Sequence, residues 1–90
     1  MICATDRIAV GAVQAIQAHG LRVPEDIAVT GFNDSEFVIT TNPQLTSARF
    51  PVHEMGFRAA EMLVQRIEGT LQPEQERLEI PIELIVRGST

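Results

Sequence analysis

Ninety residues with 12 acidic and 7 basic side chains, a formal net charge of −5, allow one small domain with a modest core. The charges are scattered, so the chain lacks the concentrated basic face that gripping nucleic acid requires. No apolar run approaches the roughly 18 residues of a membrane span, and Asp6 and Arg7 interrupt any signal-peptide core, which predicts a soluble, cytoplasmic chain.

Met1-Ile2-Cys3-Ala4 reads as the end of a strand whose beginning is missing. Cys3 is the one cysteine, so no internal disulfide can form and a buried core thiol in a reducing compartment is expected. Thr5 and Asp6 are good helix-capping residues, and a helix should run to about His19 with Gly20 as its stop. At helical steps Arg7, Gly11, Gln14 and Gln17 form a narrow polar stripe. Ile8, Ala9, Ala12, Val13, Ala15 and Ile16 cover most of the rest, and Val10 falls inside the polar stripe. Such a helix is either covered on several sides, by a sheet and a second subunit, or is a small-residue helix packed in its own core.

Leu21 to Pro24 lead into Ile27-Ala28-Val29, a continuous apolar run of the kind found in a parallel sheet covered on both faces. Gly31 breaks that run, and Asn33-Asp34 follow just past its carboxyl end, the edge where open α/β sheets bind ligands. Strand, helix and strand over this length make a βαβ unit with a right-handed crossover. Residues Ser35 to Asn42 are expected as a loop closed by Asn42-Pro43, and Leu45 to Phe50 as a short extended segment.

Pro51 suits the first turn of a second helix, running to about Glu68 and stopped by Gly69. Glu54, Arg58, Glu61, Gln65 and Glu68 share one face, which reads as solvated rather than as a site. Thr70 to Arg77 is a polar connection. From Leu78 the tail alternates, placing Ile80, Ile82, Leu84 and Val86 on one face. Pro81 cannot donate to a ladder, so it marks an edge or a handover between two sheets.

Catalytic chemistry finds no support. His19 and His53 are far apart without metal-ligand spacing, and neither a nucleophile elbow nor a phosphate-binding glycine motif occurs. No enzyme, catalytic residue, metal or cofactor is therefore expected. Binding fares better: Thr5-Asp6 and Asn33-Asp34 each follow a predicted parallel strand, so the fold brings them to one sheet edge. Hydroxyl, amide and carboxylate groups there can hydrogen-bond the hydroxyls of a sugar-like ligand. The alternative is that Thr5 or Asp6 only caps the helix and Asp34 only braces its turn.

Ala4-Thr5-Asp6-Arg7-Ile8-Ala9-Val10-Gly11-Ala12 resembles the strand-to-helix segment of the lactose-repressor/galactose-repressor (LacI/GalR) family of bacterial transcription regulators. Gly20 to Asp34, Leu45-Thr46-Ser47-Ala48-Arg49, the segment around Met55-Gly56-Phe57-Arg58-Ala59-Ala60 and Glu83 to Thr90 follow in that family's order. The resemblance covers essentially the whole chain. It implies an α/β fold of the type I periplasmic-binding-protein kind, a mostly parallel sheet flanked by helices, here truncated to about the last quarter of a regulator.

On that resemblance residues 1–49 belong to the C-terminal lobe, 50–81 cross into the N-terminal lobe, and 82–90 return to finish the first. Effector contacts carry over to Asn33, where many members have Asp, and to Thr5, where Asn is common, with Asp6, Asp34 and Val52 nearby in the implied cleft. Val10 and Thr41 match positions of the family's dimer interface. The implied function is effector binding and dimerisation in a sugar-responsive regulator. Operator DNA would be bound only through a missing N-terminal domain, and no membrane partner is implied. A fragment of a periplasmic sugar-binding protein, or an interaction module without ligand, are the other readings.

Overall fold

A periodic stripe on the first helix and a run of short apolar segments dictate where the core forms. The computed structural model describes residues 1–90, and these fall into two units, Met1–Arg49 with Ile82–Thr90, and Phe50–Pro81.

In the first unit, helix α1 (Asp6–Ala18) is capped by Thr5, whose hydroxyl accepts the Ile8 amide, and Gly20 follows at φ 77, the left-handed conformation glycine tolerates best. Asp6, Ala9 and Val13 are its buried residues, at the i, i+3, i+7 spacing of one helical face. Ala9 and Val13 join Cys3, Val23, Val29, Val38 and Leu45 in the core, with Val10, Ala12 and Ile16 packed at its margin. Val10 thus lies against the core although the sequence places it among polar residues, while Ile8 is exposed.

Strand β1 (Thr30–Phe32) pairs in parallel with β2 (Thr46–Arg49), and β2 pairs antiparallel with β3 (Glu83–Ile85). Ile2 bridges to Thr30 in parallel on the other side, so the sheet is mostly parallel, as expected. The predicted strand at Ile27–Val29 begins later than the apolar run suggests. The Ile27 amide closes a turn onto the Arg22 carbonyl at 3.1 Å and cannot enter a ladder. Ladder pairing starts at Thr30, and the Val29 amide just before it reaches the Ser89 carbonyl at 2.9 Å.

One further expectation needs correction. The segment from Ser35 to Asn42 is not wholly loop, because Glu36–Ile39 forms a 3-10 turn nucleated by Ser35, whose hydroxyl accepts the Phe37 amide, and it buries Val38. In the tail, the residues between the apolar ones are the more sheltered set. Ile82, Leu84 and Val86 are exposed, whereas Ile85 and Arg87 are half-buried and Ser89 is fully buried. Hydrogen bonding decides this: the Ser89 hydroxyl donates to the Val29 carbonyl at 2.6 Å and accepts the Thr46 amide at 2.8 Å. The Thr46 hydroxyl in turn accepts the Arg87 amide at 2.8 Å.

In the second unit, α2 (Val52–Glu68) starts after Pro51 and ends at Gly69 with φ 74. The Thr70 amide caps it on the Gln65 carbonyl at 2.9 Å, and Arg66 pairs with Glu76 beyond the short turn Pro73–Gln75. None of its residues is buried. No helix is long and apolar enough to cross a membrane.

Candidate functional site

Carboxyl ends of parallel strands expose backbone that side chains must organise, and here two aspartates do so. Asp6 opens α1 and is 1% exposed. One of its oxygens accepts both the amide and the hydroxyl of Ser35, at 2.7 and 2.9 Å, and the other accepts the Ser47 hydroxyl at 2.7 Å. A buried carboxylate is tolerable only with such complete hydrogen bonding. Its closeness to β1 requires Gly31, since a Cβ there would overlap the Asp6 carboxylate and stand 3.1 Å from the Asp6 Cα.

Asp34 is the second organiser. Its side chain is 6% exposed, with Arg49 Nε at 2.7 Å from one oxygen and Arg87 Nη2 at 2.7 Å from the other. Its amide donates to the Ser47 hydroxyl at 2.9 Å, so Ser47 links the two aspartates. Burial pushes the Asp34 carboxyl up, but the two guanidinium groups together outweigh it and hold the group below its ordinary value.

Between these fixed points Asn33 is exposed at φ 102, followed by Asp34 at φ 49. Two successive non-glycine residues in this region store about 1 kcal/mol or more each. The amide of Asn33 bonds to the Ala48 carbonyl at 2.9 Å, which pins the loop to β2 and leaves its side chain outward. Strain held by surrounding bonds beneath an exposed polar group is a common property of ligand-contacting loops.

The structure therefore stitches Thr5-Asp6 to Asn33-Asp34 through the Asp6 bonds to Ser35. Thr5 and Asn33 are exposed, while the carboxylates of Asp6 and Asp34 are engaged inside the chain. Val52 is exposed and belongs to the second unit. Thr41 is buried, its hydroxyl donating to the Pro43 carbonyl at 2.8 Å. His19 lies apart from the site, its Nδ1 2.8 Å from the Ala15 carbonyl at the end of α1.

Sequence reasoning missed Ser35, Ser47, Arg49 and Arg87 as the partners of the two aspartates. The available signal was weak: isolated arginines at strand ends, each a charge in need of a counter-ion.

A depressed carboxyl pKa makes a testable pH dependence. Asp34 stabilises the fold above its unfolded value, near 3.8, and that contribution disappears as pH falls through the lower folded value. Urea midpoints from neutral pH down through the carboxylate range should fall steeply for the wild type and less steeply for Asp34→Asn. Parallel curves for the two proteins would contradict this. Asp26, similarly depressed by its hydrogen bond from Arg22, is present in both proteins and cancels in the comparison.

A family model described as a periplasmic binding protein-like domain matches residues 1–90. The chain is 46% identical over 90 residues to the HTH-type transcriptional regulator MalR of Streptomyces coelicolor, covering 100% of this chain and 26% of that protein. Among solved structures it is similar to the transcriptional regulator CelR in complex with cellobiose, at 39% identity and a TM-score of 0.86, covering 99% of this chain and 27% of that one. It is also similar to the lac repressor dimer bound to operator and an anti-inducer, at 32% identity and a TM-score of 0.82, covering 100% and 31%. The chain spans about a quarter of the length of the curated relatives it matches.

Proposed function

Because the chain belongs to the periplasmic binding protein-like domain family, in the form found in LacI-type transcriptional regulators, we propose that it supplies one wall of a sugar-effector site. The observation that carries this reading is the exposed Asn33 side chain, held on a strained loop at the carboxyl end of β1. Asn33 and Thr5 contact the sugar hydroxyls, whereas Asp6 and Asp34 act from beneath by fixing the loop. The CelR structure with cellobiose supports a sugar as the ligand class.

The full regulator is cytoplasmic, performs no catalysis, and binds operator DNA through sequence other than these residues. In it, 1–49 and 82–90 contribute to the C-terminal lobe and 50–81 to the N-terminal lobe, a reading supported by the division of the chain at Arg49 and Ile82. Val52 is an effector-site position by family resemblance. The regulator is a dimer or higher oligomer, with Val10 and the loop braced by Thr41 near the interface. Effector binding shifts the population between lobe arrangements and so changes operator affinity.

The test is calorimetry of the intact protein carrying this chain against cellobiose and other neutral mono- and disaccharides. At least one sugar should bind, and Asn33→Ala should weaken it about ten-fold, the loss of one or two hydrogen bonds to ligand. Equal affinity in a folded Asn33→Ala variant would remove Asn33 from the site, and binding of no sugar would overturn the effector class.

A further inference from the structure

Arg87 sits 53 residues beyond Asp34 in sequence, in the closing tail, yet its guanidinium reaches the loop that carries Asn33. We infer that Arg87 is a positioning residue for the effector: through Asp34 it holds Asn33 in the conformation that presents its amide to the ligand. The inference rests on the sugar-effector reading above and extends it to a residue outside the contact set.

The geometry runs as a chain of fixed contacts. Arg87 Nη1 donates to the Leu45 carbonyl at 2.8 Å, and its backbone amide donates to the Thr46 hydroxyl at 2.8 Å, so its position is set by the start of β2. From there Nη2 lies 2.7 Å from Asp34 Oδ1. Arg87 is the shielded member of the pair of arginines: its side chain is 19% exposed, against 55% for Arg49. A shielded ion pair is weakened less by solvent and salt than an exposed one, so Arg87 anchors Asp34 by charge from the sheltered side, while Arg49 adds a hydrogen bond to the other oxygen at 2.7 Å.

What the anchors oppose is the backbone preference of Asn33 and Asp34. Both occupy φ values that non-glycine residues leave unless the surroundings over-determine them. Two hydrogen bonds from backbone amides hold the loop from the strand side, Asn33 to the Ala48 carbonyl and Asp34 to the Ser47 hydroxyl. The Asp34 carboxylate holds it from the tail side. Without Arg87 the carboxylate is held by the more exposed Arg49 alone, and the weaker hold lets the pair of residues relax toward ordinary φ values, which rotates the Asn33 amide away from its site without dismantling the core. The other charged group facing Asp34 is Arg49, and it remains in place in an Arg87 variant.

The experiment measures affinity for the tightest sugar of the panel in the intact wild-type protein, Arg87→Gln, Arg87→Lys, Asp34→Asn and the Arg87→Gln/Asp34→Asn double variant, with circular dichroism and thermal unfolding on each. The expected result is an affinity loss of five-fold or more in Arg87→Gln with the folded signal retained, and partial recovery in Arg87→Lys. The double variant should bind no worse than the weaker single variant, because Arg87 acts through Asp34. Affinity within two-fold of wild type in folded Arg87→Gln overturns the inference, as does additive loss in the double variant. If Arg87→Gln does not fold, Arg87→Lys and Asp34→Asn decide: unaltered affinity in both overturns it. A wild-type protein that binds no sugar instead removes the effector reading itself, a result distinct from sugar binding indifferent to Arg87.

Discussion

Asp6→Ala is expected to destabilise the fold by about 2 kcal/mol, because it strands the part-buried Ser35 amide and deprives two hydroxyls of their acceptor. The hydroxyls can rotate toward other partners, whereas the amide is fixed by the backbone and carries most of the penalty. Loss of an acidic residue from the first turn of α1 adds a few tenths of a kcal/mol through the helix dipole, roughly the low end of the usual range. Since domains of this size are stable by roughly 0.05–0.15 kcal/mol per residue, such a loss is a large share of the total. Asp6→Asn should cost about half as much, because one carbonyl oxygen survives to accept from Ser35. Urea unfolding followed by circular dichroism separates the three proteins, and an Asp6→Ala midpoint equal to wild type would show that the Ser35 and Ser47 bonds contribute nothing net.

Gly31→Ala is the second large effect. The new methyl would overlap the Asp6 carboxylate and approach Asp6 Cγ to 3.2 Å, so either α1 moves off β1 or Asp6 abandons its serine partners. Backbone and a fully bonded carboxylate are poor candidates for small adjustments, and overpacking of this kind costs about 3 kcal/mol. The glycine is needed here for space rather than for its dihedral freedom. Combined with Asp6→Ala, the substitution should become less damaging, since the double variant removes the carboxylate that the methyl strikes and leaves only the tight approach to the Cα of residue 6. A double variant as unstable as the sum of its parents would contradict that placement.

The elements that the sequence made legible are those with a local physical signature. The cap at Thr5, the stops at Gly20 and Gly69, and the helix after Pro51 all rest on residues whose preference is set by their own backbone. The start of β1 was harder to read, because Ile27 looks like a strand residue yet its amide is engaged by Arg22, a contact set by the turn through Pro24. The inward parity of the tail was hidden for a related reason. Apolar alternation favoured Ile80, Ile82, Leu84 and Val86, but Arg87 and Ser89 face inward to bond β2, and buried polar contacts leave no hydrophobic period to follow.

At the candidate site, the exposure of Asn33 and Thr5 fits their place just after predicted strands. Their supporting bonds were not legible, since Asp6 meets Ser47 across 41 positions and Arg87 meets Asp34 across 53, separations that no local pattern encodes. The chain belongs to a family of transcriptional regulators, and the geometry adds which residue of each adjacent polar pair is exposed. In each pair the first residue is exposed and the aspartate that follows has its carboxylate engaged within the fold.

The most direct test of the effector site follows the side-chain amide of Asn33 in proton–nitrogen correlation spectra while the intact protein is titrated with the tightest-binding sugar. The account predicts that this resonance moves along the same saturation curve as the calorimetric heat. Saturating heat with a stationary Asn33 amide, and shifts confined to residues 50–81, would contradict it.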